Sequence, residues 1–443
     1  MTHERIRRLR PASSLEGSIR VPSDKSIAHR ALICAALANG RSKITLRAPG
    51  ADLMSTISAL KSLGASMSAQ KSGDLTLVSV YGLGDGSSLG ALSSGVGDCG
   101  NSGTSMRLMA GAGASGSGLA TLVGDESLSR RPMQRVADPL RAMGAEIELN
   151  EGHAPLVVRG RRSLRAIEHT LTVASAQVLG AVLFAALAAD GTTTVHVPGH
   201  VRDHTERMLS ALGADVQRTA DANGATTAIH GPSGLQRFEM LVPGDFSSAS
   251  AWIVAGALHA DANIRLTDVG LNPTRTALLE VMRRLGADIE VLAGRADSGE
   301  PVGDIVVHGG QRLHAISLGA DDVAPLIDEL PLLAVAMAAA EGISEVRGAH
   351  ELRIKESDRI AAIGAALTAA GVEFEELEDG WRIRADRPRD AQVITHGDHR
   401  IAMAMAVAAW IGVATSVELD DPDCVAVSYP SFLSDARSIG AFA

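Results

Sequence analysis

Aromatic residues are scarce in this chain, with six Phe, three Trp and two Tyr in 443 residues. Apolar residues still make up 46% of it, so its cores must be built from Ala, Val, Leu, Ile and Met. Cysteine is scarcer still. Cys34, Cys99 and Cys424 are too few and too scattered for a disulfide framework or a thiolate zinc site, and a reducing cytoplasm is the expected compartment. No hydrophobic run is long enough to cross a bilayer, which takes about 20 residues. The longest, at 330–340 and 401–414, read as buried core helices, and no membrane partner is expected. The basic start, residues 1–10, has no apolar stretch behind it and so is not a secretory signal. An excess of positive charge is also missing. The formal net charge of −10 makes the chain a poor electrostatic partner for nucleic acid, whose binding usually needs a basic face, and no nucleic-acid partner is expected.

Glycine, by contrast, is plentiful at 46 residues, and the length calls for more than one domain. One pattern recurs: an amphipathic helix, a Leu-Gly-Ala-like turn, then a strand. It appears at Leu63-Gly64-Ala65, Met143-Gly144-Ala145, Leu212-Gly213-Ala214 and Leu285-Gly286-Ala287, more loosely around Gly371, and finally at Ile439-Gly440-Ala441. Each glycine follows the last apolar helix position, where a left-handed cap is expected. The next residues alternate, as in Ala287-Asp288-Ile289-Glu290-Val291, which is strand period. The spacing of about 70 to 85 residues is too long for a solenoid and implies small α/β units. Three units precede the Pro243-Gly244-Asp245 turn and three follow it. The expected division is one lobe over 23–243 and another made of 1–22 with 244–443. Hinges are expected near Val21-Pro22 and Pro243–Asp245, with a ligand cleft between the lobes.

Charged and small residues cluster where helices begin. In Pro22-Ser23-Asp24-Lys25-Ser26-Ile27-Ala28-His29-Arg30, Ser23 or Asp24 can cap a helix whose first turns carry Lys25, Ser26 and Arg30. Cations at a helix start oppose its dipole unless an anion binds there, and a solvated helix start is the competing reading. The Walker frame is absent. Gly100-Asn101-Ser102-Gly103-Thr104-Ser105-Met106-Arg107 is a loop of small residues entering a helix. The following Gly111-x-Gly113-x-x-Gly116 lacks the strand–turn–helix context of a dinucleotide fingerprint and is set aside. Ser129-Arg130-Arg131-Pro132, Ser175-Ala176-Gln177 and Val201-Arg202-Asp203-His204-Thr205 each read either as sites or as ordinary surface. Ser175 and Gln177 open an apolar helix, where unpartnered polar groups are costly. Three segments precede Ala-rich helices: Ile327-Asp328-Glu329-Leu330, Arg353-Ile354-Lys355-Glu356-Ser357-Asp358-Arg359 and Thr395-His396-Gly397-Asp398-His399-Arg400. His396 and His399 have no third ligand, which argues against a metal site.

Together these motifs resemble, in order and over nearly the whole chain, the family of 5-enolpyruvylshikimate-3-phosphate synthases. The most specific are the 353–359 segment and Asp398-His399-Arg400. Arg202-Asp203-His204-Thr205-Glu206 and Asn272-Pro273-Thr274-Arg275-Thr276 resemble the second class of that family, which includes inhibitor-tolerant members. The resemblance implies an α/β fold of two lobes, each with three βαβαββ units related by pseudo-threefold symmetry. It implies transfer of the carboxyvinyl group of phosphoenolpyruvate to the 5-hydroxyl of shikimate 3-phosphate in chorismate and aromatic amino-acid biosynthesis, with no cofactor and no metal, by a monomer. Carried over residue by residue, Lys25, Ser26, Arg30, Ser175, Gln177, Arg202, Asp328 and Lys355 are expected to contact shikimate 3-phosphate. Lys25, Gly103, Arg131, Gln177, Arg359 and Arg400 are expected to hold phosphoenolpyruvate. Asp328 is the candidate base, and Lys355 and Glu356 are candidates for proton delivery. One lysine typical of the first class is missing, Val427 standing in its region. Glyphosate is expected to compete with phosphoenolpyruvate, because Gly103 lacks the methyl that tolerant members commonly carry. Two alternatives stand beside this reading. One is the sister enolpyruvyl transferase of UDP-N-acetylglucosamine, whose reactive loop cysteine has no counterpart in 111–132; the other is a catalytically silent homologue.

Overall fold

The computed structural model describes residues 8–84, 89–161, 163–221 and 223–442. Most of the basic start, residues 1–7, lies outside the described residues. The chain divides into two compact units. A contiguous unit holds Ser23–Val242 with Ala296–Glu300, and a split unit holds Met1–Pro22, Pro243–Arg295 and Pro301–Ala443. The short piece Ala296–Glu300 corrects the expectation that everything after 243 belongs to one lobe. It is held in the contiguous unit by specific contacts: the Leu241 N–H donates to Asp297 at 3.3 Å, Glu300 meets His204 Nδ1 at 2.8 Å, and Gly299 lies against the Arg207 carbonyl.

Among the described residues each unit holds three sheets, and one strand order recurs among them. The second sheet of the contiguous unit shows the plan. Gly95–Asp98, helix Gly103–Ala114, Leu119–Val123, helix Gln134–Ala142, Glu146–Asn150 and His153–Arg159 follow in sequence. In space the last strand lies between the second and the third, and the first strand pairs in parallel with the second. Two sheets take their first strand from far away in sequence. Glu239–Leu241 pairs in parallel with Arg41–Arg47, and Leu15–Ile19 pairs in parallel with Ala262–Gly270. The sixth sheet is finished by the other end of the chain, Arg8–Leu9 pairing antiparallel with Ser416–Leu419. The crossing segments are tied within each unit: Ser23 Oγ donates to the Val242 carbonyl at 3.2 Å, and the Asp245 N–H to the Pro22 carbonyl at 2.8 Å.

The six repeat glycines all adopt the left-handed conformation, with φ from +93° at Gly64 and Gly440 to +107° at Gly286. At the first five this conformation lets the helix stop and its strand start within two or three residues, where an L side chain would be strained. Gly440 follows the helix Phe432–Ser438, and the strand expected after it is absent among the described residues. The fingerprint-like glycines serve packing instead. Gly111 lies inside helix Gly103–Ala114, and a Cβ there would strike the Ala181 carbonyl of helix Ala176–Ala186. Both long apolar runs are buried helices, Leu330–Ala339 and His399–Trp410. Eight of the eleven aromatics lie in the split unit, where Trp252 stacks on Trp410 at 5.7 Å and donates to the Tyr429 hydroxyl at 2.9 Å. The contiguous unit's core is accordingly almost wholly aliphatic. No helix is long and apolar enough to cross a membrane among the described residues.

Candidate functional site

In the contiguous unit three helix starts carry the polar groups. Asp24 caps helix Lys25–Leu37, accepting from the Ile27 N–H at 2.9 Å, so Lys25 opens the first turn. Lys25 is half-exposed and pairs with Asp52, at the start of helix Ala51–Ser62. Arg30, one turn further on, is buried. Its guanidinium donates to Thr205 Oγ1 at 2.7 Å and to the Ser26 carbonyl at 2.9 Å. Burial lowers the Arg30 pKa and the nearby Arg202 adds to the effect, against the charges of Glu206, Asp24 and Glu300.

Ser102 caps helix Gly103–Ala114. Its side of the unit gathers Arg107, Gln177 and Arg131. Arg107 donates to Gln177 Oε1 at 2.7 Å, Gln177 Nε2 donates to Thr104 Oγ1 at 3.0 Å, and Arg131 donates to Asn101 Oδ1 at 2.7 Å. A Cβ on Gly103 would lie 2.7 Å from Arg107 Nη1 and 3.2 Å from Arg131 Nη1. Burial, then Arg135 and Arg131, lower the Arg107 pKa to about 10. The Arg107 Nε has no hydrogen-bond partner among the described residues. Ser175 caps helix Ala176–Ala186 through the Val178 N–H at 3.3 Å.

In the split unit the acidic and basic segments interlock. Arg359 is fully buried at the first position of helix Arg359–Ala369. It donates to Asp398 at 2.8 Å and to Glu356 at 2.6 Å, while its Nη1 has no hydrogen-bond partner among the described residues and sits 3.9 Å from Asp328. Burial would raise the Asp398 pKa, but Arg359, the Arg400 backbone N–H and Ser357 outweigh it and hold the carboxyl below its usual range. Arg400 donates to the Asp328 carbonyl at 2.7 Å, and its Nη2 stands 3.8 Å from the Asp328 carboxylate. Burial opposes the Arg400 charge, but Asp328, Glu329 and Asp245 raise its pKa overall. Glu329, buried beside Asp328, accepts from Ser247, whose hydroxyl also receives Arg275 Nη2 at 2.6 Å. Burial raises the Glu329 pKa, and Asp328 adds to this against Arg275. Lys355 is mostly buried and pairs with Glu351, while Glu356 is largely exposed.

Comparison with known proteins decides the family. The family model described as EPSP synthase (3-phosphoshikimate 1-carboxyvinyltransferase) matches residues 9–435. The chain belongs to the EPSP synthase family. A 3-phosphoshikimate 1-carboxyvinyltransferase of Geobacillus kaustophilus is 45% identical over 96% of this chain and 98% of its own length. One from Gloeobacter violaceus is 47% identical over 95% of this chain and 96% of its own. Among solved structures, an EPSP synthase from Acinetobacter baumannii superposes with a TM-score of 0.89, 37% identity and 98% coverage of both chains. The enolpyruvyl transferase NikO from Streptomyces tendae, at 21% identity over 98% of this chain and 97% of its own, shares the fold with a TM-score of 0.71.

Within this EPSP synthase fold the sequence-selected residues fall into two groups, one per unit. Lys25, Ser26, Arg30, Gly103, Arg131, Ser175, Gln177 and Arg202 lie in the contiguous unit, and Asp328, Lys355, Glu356, Arg359 and Arg400 in the split one. Val427 is exposed and ends the short turn Pro422–Val427. His399 is largely buried, and desolvation followed by the Arg400 charge lowers its pKa to about 4. Among the described residues no cluster of His, Cys, Asp and Glu could hold a metal ion. Sequence reasoning passed over Arg107, Glu329, Ser247, Arg275 and His29. All of these except Ser247 stood inside quoted motifs, and for Arg107 and Glu329 the available signal was a charge set into an otherwise small or apolar helix start.

Proposed function

We propose that this chain transfers the enolpyruvyl group of phosphoenolpyruvate to the 5-hydroxyl of shikimate 3-phosphate and releases phosphate. The observation that carries this reading is the EPSP synthase match across residues 9–435, with relatives named for that activity at near full length. The charges of the proposed site suit it. The two substrates bring about −5 to −6, counting two phosphates and two carboxylates. Lys25, Arg30, Arg131, Arg202, Lys355, Arg359 and Arg400 supply positive charge against them in a chain that is acidic overall. The unpartnered Arg359 Nη1 and Arg107 Nε support the same reading, since buried donors without acceptors are rare unless a ligand supplies one.

In the proposed reaction the 5-hydroxyl oxygen bonds to C2 of phosphoenolpyruvate while C3 takes up a proton. The tetrahedral adduct then loses phosphate from C2 and a proton from C3, restoring the double bond. Asp328, flanked by Arg359 and Arg400, takes the hydroxyl proton. Lys355 and Glu356 share proton delivery to and from C3. Arg359 and Arg400 stabilise charge on the adduct and on the departing phosphate. The enzyme acts as a monomer in the cytoplasm.

The test is phosphate release by the purified protein given both substrates, with sugar nucleotide as a second acceptor. Release with shikimate 3-phosphate alone supports the assignment. Release only with UDP-N-acetylglucosamine transfers it to the sister activity, and no release with either acceptor leaves the silent-homologue reading.

A further inference from the structure

Helix Ala51–Ser62 carries no residue proposed above to touch a substrate, yet a continuous line of buried polar groups runs through it. His29 Nδ1 lies 2.8 Å from Thr56 Oγ1, which lies 2.6 Å from Ser105 Oγ. Ser105 Oγ in turn lies 2.6 Å from Ser102 Oγ, and Ser102 Oγ also accepts the Ser105 N–H at 3.1 Å. His29, Thr56 and Ser105 are completely buried and Ser102 almost so. A buried hydroxyl line of this kind costs stability unless every member is satisfied. Its presence between three helices therefore needs a reason beyond packing, which Val or Ala could serve.

The Thr56 hydroxyl has one proton. If it goes to Ser105 or to the Asp52 carbonyl 3.1 Å away, His29 Nδ1 donates to Thr56; if it goes to His29, Nδ1 accepts. Burial, with Lys25 and Arg30 nearby, lowers the His29 pKa well below 6.5 and favours the neutral ring in either case. At one end of the line His29 sits on the helix that begins at Lys25 and also carries Arg30. At the other, Ser102 caps the helix that begins at Gly103, next to Arg107 and Arg131.

We propose that Thr56 is a positioning residue for the phosphoenolpyruvate subsite, its hydroxyl bridging His29 and Ser105 and so fixing the Ser102–Gly103 helix start against the Lys25 helix. This rests on the proposed function for the identity of the ligand, but not for the positioning itself. Asp52, which pairs with Lys25, lies one turn before Thr56 on the same helix, so a single element sets both the lysine and the glycine loop.

The test uses Thr56→Val, which keeps the shape and removes the hydroxyl, with Thr56→Ser as the conservative rescue. Thr56→Val should raise the KM for phosphoenolpyruvate about 5- to 10-fold, the effect of orphaning buried partners. The KM for shikimate 3-phosphate should stay within about twofold, and Thr56→Ser should restore the wild-type value. Ser105→Ala breaks the next link and should give the same split, so the inference remains testable if Thr56→Val folds poorly. Hydrogen exchange supplies a readout independent of substrate: the amides of Ser105 and Met106, bonded to Ser102, should exchange faster in Thr56→Val. An unchanged KM for phosphoenolpyruvate, a proportional rise in both KM values, or a Thr56→Ser variant as impaired as Thr56→Val would overturn the proposal. If wild-type protein is inert with both substrates, the proposed function fails, and exchange alone decides this inference: unchanged protection at Ser105 and Met106 sinks it.

Discussion

Gly103→Ala adds one methyl where the structure leaves almost no room. Its Cβ would lie 2.7 Å from Arg107 Nη1, 3.2 Å from Arg131 Nη1 and 3.6 Å from Leu128 Cδ1. Real Cβ atoms do not sit 2.7 Å from a nitrogen, so Arg107 must move. It is not free to move cheaply, because it is buried and its Nη1 holds Gln177 Oε1 at 2.7 Å. The methyl therefore acts in two ways, by filling space at the subsite and by shifting two cations and Gln177. Overpacking a fitted site typically costs about 1–3 kcal/mol, which for glyphosate is a loss of about 5- to 150-fold in affinity. Phosphoenolpyruvate, being the shorter ligand, should lose less, but the displaced guanidiniums mean that it does not escape. The assay is a set of glyphosate inhibition curves at several fixed phosphoenolpyruvate concentrations, for wild type and Gly103→Ala. Adding Arg107→Lys to Gly103→Ala removes the atom struck, so the double variant should lose less than the sum of the two singles. Coincident curves for wild type and Gly103→Ala would refute the steric argument. Strict additivity would refute the role given to Arg107.

Three further outcomes are expected. Asp328→Ala should lower kcat by about 10²- to 10⁴-fold with a much smaller change in substrate binding; near-normal turnover would move the base role to Glu356. Arg131→Ala should raise the KM for phosphoenolpyruvate more than that for shikimate 3-phosphate, and steady-state kinetics showing the reverse would remove Arg131 from that subsite. Stability should fall as the pH drops below 6.5, because the folded pKa of His29 lies well below that value and the unfolded chain takes up the proton first. The slope approaches about 1.4 kcal/mol per pH unit for one such group. His399 adds in the same sense down to about 4. Thermal melts between pH 7.5 and pH 5 should give a shallower slope for His29→Asn, and an identical slope would show that His29 is not the group responsible.

The repeat was legible because its physical demand is local. A helix that must stop and reverse into a strand within three residues needs a left-handed residue, and Gly64, Gly144, Gly213, Gly286 and Gly371 answer it one by one, while Gly440 ends its helix in the same conformation. Helix starts were legible for the same reason, since Asp24, Ser102, Ser175, Asp358 and Asp398 each cap through their own next turn. Pairing across the fold was not. Nothing near Glu239–Leu241 announces that its neighbour is Arg41–Arg47, because strand pairing is a long-range choice that a short apolar alternation leaves open. The same limit hid the site's inner supports. His29, Thr56 and Ser105 lie far apart in sequence, and each alone reads as an ordinary polar residue on an amphipathic helix. Arg107 was visible as a charge in a helix of Ala, Gly and Met, but only its contact with Gln177 explains it.

The borrowed first strands also set a timetable for biosynthesis. Residues of the contiguous unit from Ser23 to Val242 leave the ribosome as one uninterrupted stretch, and every strand of its three sheets is then present. The leading segment is less fortunate. Leu15–Ile19 is made before that stretch, yet its partner Ala262–Gly270 arrives only after it, and Arg8–Leu9 must wait for Ser416–Leu419. At ordinary elongation rates the first of these delays lasts on the order of 10 to 50 s. Through that interval an apolar-edged strand travels without its sheet, a natural client for a holding chaperone. All of the contiguous unit except Ala296–Glu300 has been made by then, so the nascent chain can spend much of its synthesis as one nearly complete globule trailing an unmatched end.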